Sequence, residues 1–502
     1  MPAEPEAIAD PDPVVASEHR LHRALGPASL IMIGIGEVIG AGIFVIAGTA
    51  AAQHAGPAVL ISFVIAGVSC LFAGLCYAEF ASLIPESGSS YTYTYATMGR
   101  FMAWFIGWNM VLEYLVSAST VAVGWSGYFV SLLHNLGFDM PAALTSAPVG
   151  GMGLSDLHFT GAIGNFPAVA LIAGLSMVLL IGVRESAGFN NVLVSIKTAI
   201  ILVVILFGLP LVRRANLTPF IPANTGEWGH FGVSGILAAS GMIFFAFIGF
   251  ESVSVAALEA RNPRRDVPVG ILGSLVICSG LYMLVGLVLT GITNWRLLNV
   301  PDPMSFAVGQ VPALRWLVVP VDAAALAGLA TVTFVALYGQ SRIFYAMARD
   351  GFLPPMFSTV HGQFQTPFRG TAVTGIFAAL IAAIFPLDIL ADLVSIGTLV
   401  AFVAVCAGVM ILRRTAPDVR RPFRTPWVWA VAPLGVLSCG LMMFSLSGAT
   451  WLRLVVWSAI GVAIYFAYGR HRAPPWKWRV VPLSAAPAYQ AVRDATPESG
   501  MY

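Results

Sequence analysis

Twelve apolar runs divide this chain, and each is long enough to cross the roughly 30 Å hydrocarbon core of a bilayer. Within lipid every backbone N–H and C=O group needs an internal partner, so runs of this length form helices. Charged residues make up only 10% of the sequence, whereas a soluble domain carries about 25%. The sequence therefore predicts an all-α polytopic membrane protein with 12 transmembrane helices, at 28–53, 57–82, 99–133, 165–183, 189–211, 231–257, 268–292, 313–348, 370–386, 390–412, 427–448 and 452–469.

Lysine and arginine are distributed unequally between the segments that connect these runs. With a cytoplasmic N-terminus, 20 of the 26 basic residues fall in cytoplasmic segments, 5 fall outside, and Lys197 lies within a run. Because cytoplasmic segments of membrane proteins are enriched in basic residues, we expect a protein of the cytoplasmic membrane with both termini inside. Its predicted parts are an N-terminal tail over 1–24, one transmembrane domain over 25–470 and a C-terminal tail over 471–502.

Glycines crowd the middle of the first run, where residues 34–48 read Gly-Ile-Gly-Glu-Val-Ile-Gly-Ala-Gly-Ile-Phe-Val-Ile-Ala-Gly. Each interior glycine costs a helix about 1 kcal/mol relative to alanine. We expect the helix to unwind near 38–42, which would free N–H groups for an anion and carbonyls for a cation. A molecule that carries a carboxylate and an ammonium is an amino acid. The alternative is that the glycines only permit close packing of helices.

A second interruption lies in the sixth run, where a glycine and an acid interrupt residues 244–252. Five runs separate it from the first, so the two helices cross the membrane in opposite directions. Paired interruptions in two inverted halves are the best sequence indication of a transporter binding site. We therefore predict broken helices 1 and 6 in two inverted repeats, about 28–211 and 231–412, with helices 11 and 12 added over 427–469.

Ionisable residues inside a membrane are rare and usually functional. Lys197 lies about nine residues into helix 5, too deep to reach the surface easily. A lysine buried in an apolar environment can lose its proton near neutral pH. It could therefore replace a sodium ion as a fixed charge, or exchange a proton as the coupling site. The alternative is a permanent ion pair with a buried carboxylate such as Glu37.

Four glutamates also lie within apolar runs. Glu113 follows Arg100 by thirteen residues, which places it about 20 Å deep at 1.5 Å per residue. It could receive a substrate ammonium or share a proton with the cavity, or form a structural hydrogen bond between helices. Glu37 could face Lys197 or hold the unwound segment. We expect Glu79 and Glu251 to be structural, closing hydrogen bonds to loops or broken backbone.

The sequence contains no sign of catalysis, a metal site or a cofactor. The five cysteines lie in apolar stretches without metal-ligand spacing, and no basic tract favours nucleic-acid binding. No His-Glu-x-x-His or nucleophile motif occurs among the spanning runs, so we predict that the protein is not an enzyme. A connection over 135–165 carries no Lys or Arg and no recognisable chemistry. Oligomeric state and any small membrane subunit are unknown from the sequence.

Several motifs occur together and in order between about 25 and 470. They are 34–48, Tyr77-Ala78-Glu79-Phe80, 85–93, Glu113-Tyr114, 190–197, 244–251 with 262–268, 338–354 and 392–426. With them the chain resembles a bacterial member of the amino acid–polyamine–organocation (APC) superfamily, close to its cationic amino acid transporter branch. The resemblance implies a LeuT-like fold of five-plus-five inverted repeats and alternating access around a site in mid-membrane.

The resemblance also implies residue roles. The substrate carboxylate would meet amides around Ala41 and Gly42, and Lys197 would take the place of a sodium ion, which suggests proton coupling. The substrate ammonium would meet carbonyls of helices 1 and 6, namely those of Val38 or Ile39 and of Phe245, Ala246 and Ile248. From their position as acids within apolar runs, we expect Glu113 and Glu37 to take part in proton coupling together with Lys197.

Three positions depart from the family pattern. Ala41 replaces a common Ser or Thr, and Glu37 replaces a small residue. Leu329, on the helix 8 stretch that approaches the substrate side chain in this family, is bulky and would shorten the pocket. We therefore expect small or medium neutral amino acids, with protons as the coupling ion. The alternatives are an amino acid exchanger with cationic or neutral substrates and a receptor that binds amino acids without transporting them.

Overall fold

The computed structural model describes residues 25–84, 89–151, 158–181, 187–361, 366–419 and 421–472. The predicted tail over 1–24 and all but the first two residues of the tail over 471–502 lie outside the described residues. Residues 85–88 of the sequence motif over 85–93 also lie outside them. The domain boundaries stay predictions.

The described chain is mostly helical. Its α-helices are α1 (Pro27–Val38), α2 (Ala47–Ala50), α3 (Val59–Leu83), α4 (Ser89–Met98), α5 (Arg100–Asn135), α6 (Phe166–Ile181), α7 (Ala187–Gly208), α8 (Gly232–Ile243), α9 (Pro263–Ile292), α10 (Pro303–Gly309), α11 (Val318–Arg349), α12 (Phe368–Ile384), α13 (Leu387–Thr415), α14 (Val428–Ser445), α15 (Gly448–Ile464) and α16 (Arg470–Arg472). Strands β1 (Val149–Gly150) and β2 (His158–Phe159) pair antiparallel within the loop after α5.

Nine helices in the described chain are long and apolar enough to cross a membrane, and three shorter apolar helices accompany them. The protein is therefore a multi-pass membrane protein. One of the nine, Gly42–Leu83, has 42 residues, about twice the length that a bilayer needs. It turns at Gly56, where φ is +60° and a Cβ atom would lie 2.6 Å from Pro222. Glycine avoids both the strain and the clash.

The core forms where long helices cross. α5 packs against α11 and α13, and α9 packs against α1 and α3. Small residues permit this approach: a Cβ atom at Gly74 of α3 would lie 3.3 Å from Leu275 of α9. Packing through small residues drives helix association in membranes, where lipid removes the hydrophobic force between helices. The five cysteines are buried and unpaired, as the sequence predicts.

Glu79 joins three segments at one end of the bundle. Its carboxylate accepts two hydrogen bonds of 2.8 Å from Arg413, and Arg421 Nε lies 3.2 Å away. The backbone N–H of Thr425 donates to the same carboxylate at 2.8 Å. Glu79 therefore has the structural role that the sequence predicts, connecting α3 to α13 and to the loop before α14.

Candidate ligand and ion site

The first span is interrupted between α1 and the π-helical turn Gly42–Ile46, and we call residues 39–41 the first break. α1 ends at Val38, and Ile39 turns the chain with φ −75° and ψ 89°. The helix resumes at Gly42, where Gly40 O accepts from the N–H groups of Ile43 and Phe44. Among the described residues, nothing accepts a hydrogen bond from the N–H groups of Gly40, Ala41 or Gly42. These three buried donors are therefore available to an acceptor, and N–H groups at the start of a helix favour an anion.

The sixth span is interrupted at Ile248 and Gly249, which we call the second break. A 3₁₀ turn, Phe244–Phe247, ends in extended backbone at Ile248, and Gly249 has φ +119°. A second 3₁₀ stretch, Phe250–Glu259, follows. Glu251 accepts from the N–H group of Gly249 at 3.0 and 3.2 Å. This acid thus closes hydrogen bonds to broken backbone, which is the role that the sequence predicts for it.

The two interrupted spans touch each other at and beside the breaks. A Cβ atom at Gly249 would lie 3.0 Å from the backbone carbonyl carbon of Glu37 and 3.1 Å from the Val38 nitrogen. Gly42 lies directly against the backbone of Ala246, where a Cβ atom would collide. Glycine at these two positions lets the spans cross at backbone distance. The structure brings together the residues that the resemblance assigns to the main-chain site, namely Val38, Ile39, Ala41, Gly42, Phe245, Ala246 and Ile248.

Lys197 reaches the first break from α7. Its side chain is fully buried, and Nζ donates to the carbonyl oxygens of Gly36 and of Ile39, the latter at 2.9 Å. A Cβ atom at Gly328 of α11 would lie 3.1 Å from Lys197 Cδ, so the glycine makes room for the lysine stem. The described residues include no carboxylate in ion-pair distance of Lys197. The alternative of a permanent pair with Glu37 therefore lacks the required contact.

Three glutamates surround the breaks. Glu113 of α5 is buried beside Thr398 of α13. Glu37 lines a small cavity of about 40 Å³ between α1 and α11, together with Thr331. Its Oε2 atom is buried and has no hydrogen-bond partner among the described residues. An oxygen in this position can exchange a proton or bind water.

Side chains that the sequence does not single out also hold the first break. Tyr282 of α9 donates its hydroxyl to Val38 O at 2.5 Å, and Tyr128 of α5 donates to Phe44 O at 2.7 Å. Protein donors therefore already use the Val38 and Ile39 carbonyls, which the resemblance assigns to the ammonium. A carbonyl oxygen can accept a second hydrogen bond. The sequence signal that could have identified these two residues is a tyrosine inside an apolar run, because a buried hydroxyl needs a hydrogen-bond partner.

Two apolar residues of α11 bear on the side-chain end of the site. Leu329 is fully buried in the main apolar core. Val332 lies close to the first break, because its side chain would be 3.4 Å from a Cβ atom at Gly40. From α5, Gly124 approaches the break, and its Cβ position is 3.4 Å from Ala41 Cβ. Val332 and Gly124 thus join the wall that surrounds the free N–H groups.

The chain is similar to known transport proteins. A family model described as amino acid permease matches residues 25–468. A methylthioribose transporter of Bacillus subtilis is 46% identical over 453 residues, covering 90% of this chain and 94% of the relative. A branched-chain amino acid permease of the same organism is 42% identical and covers 93% of this chain and 97% of the relative. A vacuolar cationic amino acid transporter of Arabidopsis thaliana is 35% identical, and the match covers 80% of this chain and 65% of the relative.

Proposed function

The chain belongs to the amino acid permease family, and from that premise we propose that it is a secondary active transporter that imports amino acids across the cytoplasmic membrane. Its proposed fold has 12 spans in a LeuT-like arrangement of two inverted repeats, with both termini in the cytoplasm. The helices support this count: dividing Gly42–Leu83 turns the nine long helices into ten, α6 and α12 add two spans, and α1 is the first half of the first span. The turn at Gly56 supports the division of Gly42–Leu83 into two spans.

The observation that carries the proposal is the set of three buried N–H donors at Gly40, Ala41 and Gly42. A buried donor without a partner costs about 1–3 kcal/mol, so a ligand that supplies an acceptor is favoured. A carboxylate supplies two oxygens to several donors at once, and it lies at the start of a helix, where the dipole stabilises negative charge. Ala41 contributes no hydroxyl, so the backbone alone would bind the carboxylate.

The ammonium of the substrate would lie toward the second break. Carbonyls of the Phe244–Phe247 turn and of Ile248 would accept hydrogen bonds from it, and Glu113 would supply a negative charge. A zwitterion would therefore bridge the two spans by main-chain contacts. Alternating access would follow when the spans separate on one side of the bound substrate and close on the other.

Lys197 would couple this movement to protons. As an ammonium, Lys197 would donate charge-assisted hydrogen bonds to the Gly36 and Ile39 carbonyls. The neutral amine would donate weaker hydrogen bonds and bring no positive charge to the first break, so deprotonation would weaken substrate binding beside it. Glu37 lies on α1, as Gly36 does, and it lines a small cavity. One of its carboxylate oxygens has no hydrogen-bond partner among the described residues, so Glu37 would relay the proton. We propose symport, in which the proton loads from outside and leaves toward the cytoplasm.

Substrate size and charge follow from the walls of the site. Leu329, Val332 and Phe245 are buried apolar residues, and they favour small or medium neutral amino acids. Similarity to a branched-chain amino acid permease supports this class. The methylthioribose relative suggests a second candidate substrate, a neutral thiosugar without carboxylate or ammonium. The free N–H groups favour the amino acid, because a thiosugar brings no anion to them.

Proteoliposomes containing the purified protein test the proposal. We expect an inward proton gradient to drive accumulation of labelled leucine, valine or alanine into vesicles that contain no amino acid. Uptake only into preloaded vesicles would instead identify an exchanger. Binding without uptake under either condition would identify a receptor. Uptake of methylthioribose in preference to every amino acid would refute the assignment of the N–H groups to a carboxylate.

A further inference from the structure

An apolar groove of about 600 Å³ runs along an exposed face of α9. Its walls are Val269, Leu272, Val276 and Ile277 of α9, together with Pro422 and Phe423 of the loop before α14. Val276 is 60% exposed in the chain, and Val269 and Ile277 are 42% exposed. A surface of this kind within the hydrocarbon layer contacts lipid.

One end of the groove is strongly basic. Arg264 and Arg265 line it at the start of α9, and Arg424 directly follows Phe423. Two acids of this region already have other partners: Asp266 accepts from the Asn262 N–H at 3.0 Å, and Glu79 is bound by Arg413 and Arg421. In the described part of the chain, no carboxylate forms an ion pair with Arg264, Arg265 or Arg424. These three arginines therefore form a basic cluster at the end of the groove.

The length of the groove matches one leaflet. From Arg265 to Ile277 α9 rises about 18 Å at 1.5 Å per residue, and half of a roughly 30 Å hydrocarbon core is about 15 Å. An acyl chain can therefore lie along Val269, Val276 and Ile277 while its headgroup stays at the arginines. Guanidinium groups bind phosphate in bidentate geometry.

We propose that this groove binds an anionic phospholipid, with its phosphate at Arg264 and Arg265 and one acyl chain along α9. Charge complementarity selects an anionic lipid over a zwitterionic one, because basic pockets beside membrane helices attract anionic headgroups. A neighbouring face of α9 packs against α1, where Gly270 lies against Leu30. A lipid in the groove would therefore contact α9, the helix against which α1 packs. This inference is independent of the proposed transport activity.

Native mass spectrometry of the purified full chain tests the proposal directly. Detergent-solubilised protein is titrated with phosphatidylglycerol and, separately, with phosphatidylcholine of the same acyl chains. We expect phosphatidylglycerol to bind at least tenfold more tightly. The double variant Arg264→Gln/Arg265→Gln should weaken phosphatidylglycerol binding about thirtyfold, because it removes two basic residues that each contribute a similar amount to the attraction for an anionic headgroup. Val276→Trp, which fills the groove, should weaken it too.

Matched variants elsewhere keep the test specific. Arg213→Gln/Arg214→Gln changes another exposed arginine pair, and Val455→Trp changes another exposed valine, on α15. Both controls should bind phosphatidylglycerol like the unaltered protein. Equal binding of the two lipids would overturn the proposal, as would equal losses in the groove variants and the controls. Loss of binding with the arginine variant but full binding with Val276→Trp would overturn the acyl-chain position.

Discussion

Lys197 donates a hydrogen bond of 2.9 Å to the carbonyl oxygen of Ile39, so a buried cation from one span holds the broken backbone of another. Main-chain carbonyls around a cation are the arrangement by which interrupted helices bind sodium ions in transporters. Here the cation is covalently attached and can lose a proton, whereas a sodium ion can only leave. In the proposed mechanism, this contact would link the state of the first break to the protonation of one side chain.

The first prediction concerns this link. Lys197→Met keeps a long side chain but removes Nζ and both of its hydrogen bonds, so we expect loss of uptake driven by a proton gradient. Lys197→Arg keeps a positive charge that cannot be lost in proteins, so it should retain substrate binding without proton-driven accumulation. Gradient-driven uptake in proteoliposomes and substrate-induced thermal shifts measure the two properties. Undiminished accumulation by either variant would remove Lys197 from the coupling mechanism.

A second prediction concerns the crossing of the two broken spans. In Gly42→Ala the new methyl group would collide with the Ala246 backbone, and overpacking of this kind costs about 1–3 kcal/mol. We expect a lower melting temperature in detergent and little or no transport. Gly280→Ala, inside α9 with no atom within 4 Å of its Cβ position, is the matched control and should fold and transport normally. Similar behaviour of both variants would argue against a tight crossing.

The sequence predicts the positions of both breaks, because glycine within an apolar run is costly unless the backbone or the packing needs it. Both alternatives for the glycines of the first run hold, at different residues. Gly34 packs closely against Ser274 of α9, whereas the backbone departs from helical geometry at residues 39–41. Sequence spacing alone cannot separate these uses, since the difference depends on which helix lies opposite each glycine.

The partners of the buried polar groups are beyond sequence reasoning. The apolar run around Lys197 shows that the lysine is buried, but its acceptors lie 158 and 161 residues away along the chain. The same holds for Tyr282, which reaches Val38 across 244 residues. Such pairs arise from helix packing and not from a local pattern. Burial was therefore predictable, whereas the identity of each contact required the structure.

A third prediction tests the acid at the ammonium end. Glu113 is 3% exposed and lies beside Thr398 of α13. Glu113→Gln keeps the shape and removes the charge. Hydrogen bonds to charged groups contribute about 1.5–3 kcal/mol, so KM for amino acids should rise about tenfold to a hundredfold.

Glu227→Gln, at a position with a 79% exposed side chain, is the control for loss of one carboxylate and should leave KM unchanged. The concentration dependence of uptake in proteoliposomes gives KM for both variants. A substrate analogue without an amino group should bind the Glu113 variant and the unaltered protein equally. If KM stayed constant in Glu113→Gln, the acid would have a structural role between α5 and α13 instead.

The fourth prediction concerns stability, at the cluster that joins α3 to α13. Glu79→Gln would leave Arg421, with 2% of its side chain exposed, without a negative partner. Removing one member of a buried ion pair costs about 3–5 kcal/mol, because the remaining charge stays buried without compensation. The bidentate contact with Arg413 and the hydrogen bond from Thr425 N–H would weaken together. We therefore expect a large fall in the melting temperature in detergent.

Asp139→Asn provides the comparison, because Asp139 pairs with His134 at the surface, where the side chains are 82% and 73% exposed. Exposed pairs contribute about 0–1 kcal/mol, so this variant should melt close to the unaltered protein. High salt should leave the difference in melting temperature between the two variants unchanged, since a buried ion pair is screened little. Equal melting temperatures for both variants would mean that the cluster is hydrated and does not hold the loop before α14 against α3.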